Sequence, residues 1–138
     1  MNTSIDTLNT DMTNVKSYVN DSGWITASLG SNFVAYNTAG TPKYRKVGKI
    51  VTVHGVVSPK SAITGSSTLY TIFTLPAGYR PTIPLALRLQ GSGLYTWMFQ
   101  ISLDGIVTFS RYSSPGEAGY VNTSTSTWLP FYATYFVN

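Results

Sequence analysis

At 138 residues, with 43% hydrophobic and only 10% charged side chains, the chain is long enough for one well-cored domain and too apolar for disorder. The absence of cysteine excludes disulfides and thiolate metal sites, and no apolar run approaches the roughly 20 residues of a membrane-spanning helix. The formal net charge of +4 is unevenly placed: residues 1–23 carry one Lys against three Asp, and residues 24–138 carry eight Lys or Arg against Asp104 and Glu117. A basic body points to an anionic partner.

The first element is a helix. Ile5, Leu8, Met12, Val15 and Val19 recur at spacings of 3, 4, 3 and 4, an a/d seam with polar residues between. With Ile5 at a, Asp11 falls at g and Lys16 at the following e, the spacing of an interchain ion pair in a parallel coiled coil. The alternative is an amphipathic helix folded back on its own domain, but such helices show a wider apolar stripe. Residues 1–22 are therefore expected to form a coiled-coil stem, stopped by Asn20-Asp21-Ser22-Gly23. Fewer than three heptads are marginal alone, so the following domain must help to hold the chains together. The seam begins almost at Met1, which predicts a longer coiled coil upstream. The polar N-terminus lacks a signal-peptide apolar core, and the chain reads as soluble, with no membrane insertion.

Beyond Gly23 the period changes. Short runs rich in Tyr, Thr, Val and Phe, broken by Gly, Pro, Ser and Asn, predict strands over residues 24–29, 33–36, 43–47, 49–58, 69–75, 85–90, 95–102, 106–112 and 127–137. Nine short strands with frequent turn signals predict an all-β head over residues 23–138, a sandwich or barrel, with an antiparallel β-sandwich or jelly roll as the expected form. Asp104-Gly105 marks the clearest hairpin. A three-residue loop with Gly105 left-handed sets Ile101 against Val107, Phe99 against Phe109 and Gln100 against Thr108, giving one apolar and one polar face. The same register would place Arg111 opposite Trp97 on the apolar side. Trp24, Trp97 and Trp128 all fall in strands, so core packing is the expectation for each.

Several stretches in order resemble a domain found at the ends of tail-fibre and baseplate proteins in phages of Gram-positive bacteria. They are Gly23-Trp24-Ile25, Tyr44-Arg45-Lys46-Val47-Gly48, Val51 to Val56, Leu75-Pro76-Ala77-Gly78-Tyr79-Arg80-Pro81, Leu103 to Val107, and the aromatic close from Trp128 to Tyr135. The segment from Leu75 to Pro81 is the most specific, and together the motifs span nearly all of residues 23–138. The resemblance implies a homotrimeric receptor-binding head, carried in the virion at the tail tip or baseplate and assembled in the host cytoplasm. Its implied partners are host cell-wall polysaccharide or a teichoic-acid-like polymer, together with other tail or baseplate proteins. An adaptor domain docking another virion protein is the alternative. The end of the chain at its last strand favours the receptor reading. The resemblance transfers no binding residues, because the recurring motifs read as scaffold.

The residues offer little chemistry. Glycoside cleavage needs two carboxyl groups about 5–10 Å apart, and beyond the stem only Asp104, explained by its turn, and Glu117 are present. His54 is the sole histidine and reads as structural, and no metal site, cofactor or serine-nucleophile elbow is expected. The run Lys43, Arg45, Lys46 and Lys49 reads as charge protecting a sheet edge, or alternatively as attraction for phosphate-bearing polymer. Nucleic acid is not expected, since one aromatic alone, Tyr44, interleaves these charges. The better candidate surface is the loop over residues 113–122 with its approaches. Sugars stack their apolar faces on aromatic rings while their hydroxyls meet amides, carboxylates and Arg. Arg111, Tyr112, Glu117, Tyr120 and Asn122 offer those groups, and Tyr95 is expected at the same end. A loop merely solvated, or buried between chains, is the competing reading.

Overall fold

The computed structural model describes residues 3–138, apart from the side chains of Ser17, Tyr18 and Val19. Helix α1 (Thr3–Val19) is built from poor helix formers, and Thr7, Thr10 and Thr13 return their hydroxyls to the carbonyls of Thr3, Asp6 and Asn9. Ile5, Leu8, Met12 and Val15 are 51–59% exposed, so the seam is not folded back on the sheets. The side chain of Val19, its predicted fifth member, lies outside the described residues.

Nine strands follow: β1 (Ile25–Thr26), β2 (Phe33–Ala35), β3 (Lys43–Val47), β4 (Ile50–Pro59), β5 (Tyr70–Thr74), β6 (Leu85–Gln90), β7 (Thr96–Ile101), β8 (Ile106–Ser113) and β9 (Leu129–Phe136). All pair antiparallel, in two sheets. In the first, β4 is central: β9 runs along one side, while β3 and then β2 share the other, with β1 beyond β3. The second has the order β5-β8-β7-β6. Among the described residues the molecule is therefore mostly antiparallel sheet with a single α-helix, an all-β fold.

Period-two alternation decides which side chains meet. On β4, Val51, Val53 and Val57 turn inward with no exposed surface, and on β9 Leu129, Phe131, Ala133 and Tyr135 also turn inward and are buried. From the second sheet Trp97, Phe99, Ile101, Val107 and Phe109 meet them in one core. Phe131 bridges the sheets, stacking on Phe99 at 5.3 Å between ring centres and meeting Trp97 at 6.4 Å. Residues 27–30 cross between the sheets: the Ala27 amide donates to Pro42 O, and the Gly30 amide donates to Ile72 O. That crossing ends β1 at Thr26, well short of residue 29.

The β7–β8 hairpin has the expected register, with Ile101 opposite Val107, Phe99 opposite Phe109 and Gln100 opposite Thr108, and Gly105 at φ +79°. Further along, the expectation for Arg111 fails. A bulge between Met98↔Ser110 and Thr96↔Ser113 sets both Arg111 and Tyr112 against Trp97. Arg111 takes φ +56°, and its guanidinium reaches back to Ser110 Oγ at 3.0 Å, while Tyr112 replaces it in the core. The tryptophans divide as well. Trp97 is wholly buried, but Trp24 and Trp128 are surface residues.

The junction of helix and sheets is tied down. Asp21 bridges to Val47 and pairs with Arg45, Ser22 exchanges bonds with Lys46, and Gly48 N donates to Asn20 O at 2.7 Å. The basic run is thus not a guarded free edge, because residues 20–26 close that side of β3. Lys46 Nζ donates to Gly78 O at 3.0 Å and sits 4.8 Å from the centre of the Tyr79 ring. The segment Leu75–Pro81 is scaffold in the same sense. Leu75 N donates to Gly105 O, and Arg80 Nε donates to Leu75 O.

Two outcomes follow from this geometry. A Cβ at Gly105 would lie 2.6 Å from Leu75 O, in addition to the cost of positive φ, so Gly105→Val should destabilise the fold by about 2 kcal/mol or more in urea unfolding. The Arg45 guanidinium and the Gly23 amide hold the Asp21 carboxyl at about 2, below its usual 3.8. A depressed carboxylate stabilises the fold above its unfolded value and loses that contribution as pH falls from about 4 through 2. Asp21→Asn should therefore lower the melting temperature at pH 7 and make no difference below pH 2.

Candidate functional site

The bulge that turns Tyr112 inward also shapes the surface above it. The Tyr112 ring lies 5.1 Å from that of Tyr95, which follows the turn at Ser92 and Gly93. Burial raises the Tyr112 phenol, partly offset by hydrogen bonding to Ser92 and Thr127. On the far side, the chain returns from the 113–122 loop and turns at Ser124, where the Ser124 amide donates to Thr127 Oγ1 at 2.9 Å. Between these elements is an open cleft of about 410 Å³, lined chiefly by Ser92, Tyr95, Tyr112, Asn122, Ser124, Ser126 and Thr127. Its lining is hydroxyl, amide and aromatic ring, without a carboxylate or a cation.

Of the six residues expected at a sugar site, Tyr95, Tyr112 and Asn122 meet in this cleft. Tyr112 is almost wholly buried. The Asn122 carbonyl oxygen is already committed, accepting from Gly65 N at 2.9 Å. Arg111 lies outside the cleft. Its amide donates to Ser66 O at 3.0 Å, and its side chain lines a crevice beside Ile63 with no room for water. Glu117 and Tyr120 are exposed on the 113–122 loop and are not part of the cleft wall. The serines and threonines at 92, 124, 126 and 127 were not singled out in the sequence. Their common polarity near two turns was the only signal, and it did not reveal that the turns adjoin.

A second surface was hidden by the assumption that Trp24 is core. On the outward face of the first sheet the Trp24 and His54 rings meet edge-on at 4.3 Å, and His54 lies near-parallel to Tyr132 at 6.2 Å. Burial, then the neighbouring Lys43 charge, lowers the His54 pKa, so its ring is neutral at neutral pH. Arg45, paired with Asp21, lies 5.6 Å from the centre of the Trp24 ring. Among the described residues no three His, Asp or Glu side chains gather in a metal-binding group. No family model and no curated protein matches the chain.

The bulge gives a direct test. Arg111 has the left-handed conformation that glycine adopts without strain, so Arg111→Gly should leave stability within about 1 kcal/mol of the parent. Arg111→Val should cost more than Arg111→Gly, by about 1–2 kcal/mol, because a β-branched residue resists that backbone. Paired denaturant titrations measure the difference.

Proposed function

We propose that the chain is the receptor-binding end of a phage tail-fibre or baseplate protein, a trimeric β-sandwich head over residues 23–138 on a coiled-coil stem over residues 1–22. In this reading it holds host cell-wall saccharide without cleaving it. The observation that carries the reading is the cleft between Tyr95 and Ser126. Uncharged hydroxyl and amide groups around an accessible aromatic ring suit a sugar, whose hydroxyls exchange hydrogen bonds while its apolar face stacks. The ordered motifs noted in the sequence support the phage setting, and the exposed seam of α1 supports association through the stem. Two sheets meeting in one core support the sandwich or jelly-roll description.

Cleavage is disfavoured by the same lining. Hydrolysis of a glycosidic bond normally needs an acid and a base or nucleophile across it, and no carboxyl group lines the cleft. Binding at one such shallow site is weak. Three copies on a trimer, and many trimers on a tail, convert weak contacts into firm adhesion through effective concentration.

The test is adsorption of the whole protein to purified cell-wall polysaccharide from Gram-positive hosts. Tyr95→Ala should lower binding by about tenfold or more, with melting temperature and oligomeric mass retained. Glu117→Ala and Tyr120→Ala, outside the cleft, should change it less than about twofold, and no reducing sugar should be released. Unchanged adsorption by folded Tyr95→Ala would discard the cleft as the site. Failure of the parent to bind any such polymer, with capture of another virion protein instead, would favour the adaptor reading.

A further inference from the structure

We propose that the outward face of β4 and β9 is where the heads of neighbouring copies of this chain pack together, continuing the association begun by the stem. The inference rests on the trimeric reading above and assigns it a surface.

Val47, Ile50 and Phe136 form one row across β3, β4 and β9, and His54 lies beside Tyr132 four residues further along β4, about 13 Å away. All of these side chains point away from the core. Phe136 is 71% exposed and Tyr132 65%, and Ile83, which shares a recess of about 230 Å³ with Phe136, is 74% exposed. Monomeric proteins seldom leave so many large apolar side chains together in water. Among the described residues β9 pairs only with β4, so its other edge carries no strand partner.

The choice of occupant follows from position and charge. The row of Val47, Ile50 and Phe136 lies at the end of the sheet to which the stem is tied, through the Asp21–Val47 bridge and the bond from Gly48 N to Asn20 O. Chains joined in parallel along the α1 seam would be delivered to each other at this row. A seam of fewer than three heptads, made of poor helix formers, needs such support. Arg45, one of the cations on this face, is already neutralised within the chain by Asp21. Beside the stem the row is aliphatic and aromatic, as in the centre of a subunit contact, while Thr52 and Thr134, hydrogen-bonded to each other, and Lys43 opposite His54 form its polar continuation.

Substitution of exposed residues tests the assignment in the full chain. The parent should elute as a trimer of about 45 kDa by light scattering, from three chains of 15.0 kDa. Phe136→Asp combined with Tyr132→Asp should yield a folded species of one chain's mass, with the parent's far-ultraviolet circular dichroism. Arg88→Glu, on the outward face of the other sheet, should remain trimeric. Should the double variant fail to fold, Phe136→Ala decides, and its dissociation midpoint on dilution should rise at least tenfold. A trimeric parent whose variants dissociate at unchanged concentration would overturn the assigned surface while leaving the trimer standing. A parent that is monomeric at 10 μM, on the order of a typical working concentration, would overturn both.

Discussion

Phe131 and Trp97 hold the two sheets in a single structure. Phe131 comes from the last strand of the first sheet and stacks on Phe99 of the second, and Trp97, without exposed surface, packs against Phe99, Phe109 and Phe131. Removing one such ring from a closed core typically costs about 3–5 kcal/mol, a large part of the stability of a small domain. The surface depends on this cluster too. Tyr112 belongs to it only because Arg111 takes up the extra residue of the bulge, and Tyr112 also forms part of the cleft wall. The core and the candidate binding site therefore share a residue.

This coupling explains why the sequence was informative about some elements and misleading about others. The Asp104-Gly105 hairpin was legible because Phe99 and Ile101 alternate in step with Val107 and Phe109, and only one register buries them together. The bulge was not. Bulge positions with positive φ are usually marked by glycine, and arginine carries no such signal. Projecting simple alternation past Ser110 therefore sets Arg111 opposite Trp97 on the apolar side, where the bulge instead turns Tyr112 inward. The strand expected over residues 24–29 shrank because Ala27 and Gly30 bond to different sheets, a tertiary event that no local pattern records.

The candidate site shows the same division. Tyr95, Tyr112 and Asn122 could be grouped from sequence because each lies near a turn at one expected end of the strands, and they do adjoin one cleft. The loop carrying Glu117 and Tyr120 drew attention by its length and composition, yet the cleft is completed by Ser92, Ser124, Ser126 and Thr127. Core packing is the expectation for Trp24 because it falls in a predicted strand. The structure places it against His54 and under Arg45 on an outward face, beside side chains that a single chain does not cover. The exposed apolar seam of the helix and the apolar face beside it are what support the proposed association of copies.

Saccharide binding in the cleft is tested by amide chemical-shift mapping during titration with cell-wall polysaccharide fragments. Saturable shifts should concentrate at residues 92–95 and 122–127, with residues 116–120 and the outward face of β9 little changed. Shifts absent from the cleft, or confined to the outward face of β4 and β9, would contradict it.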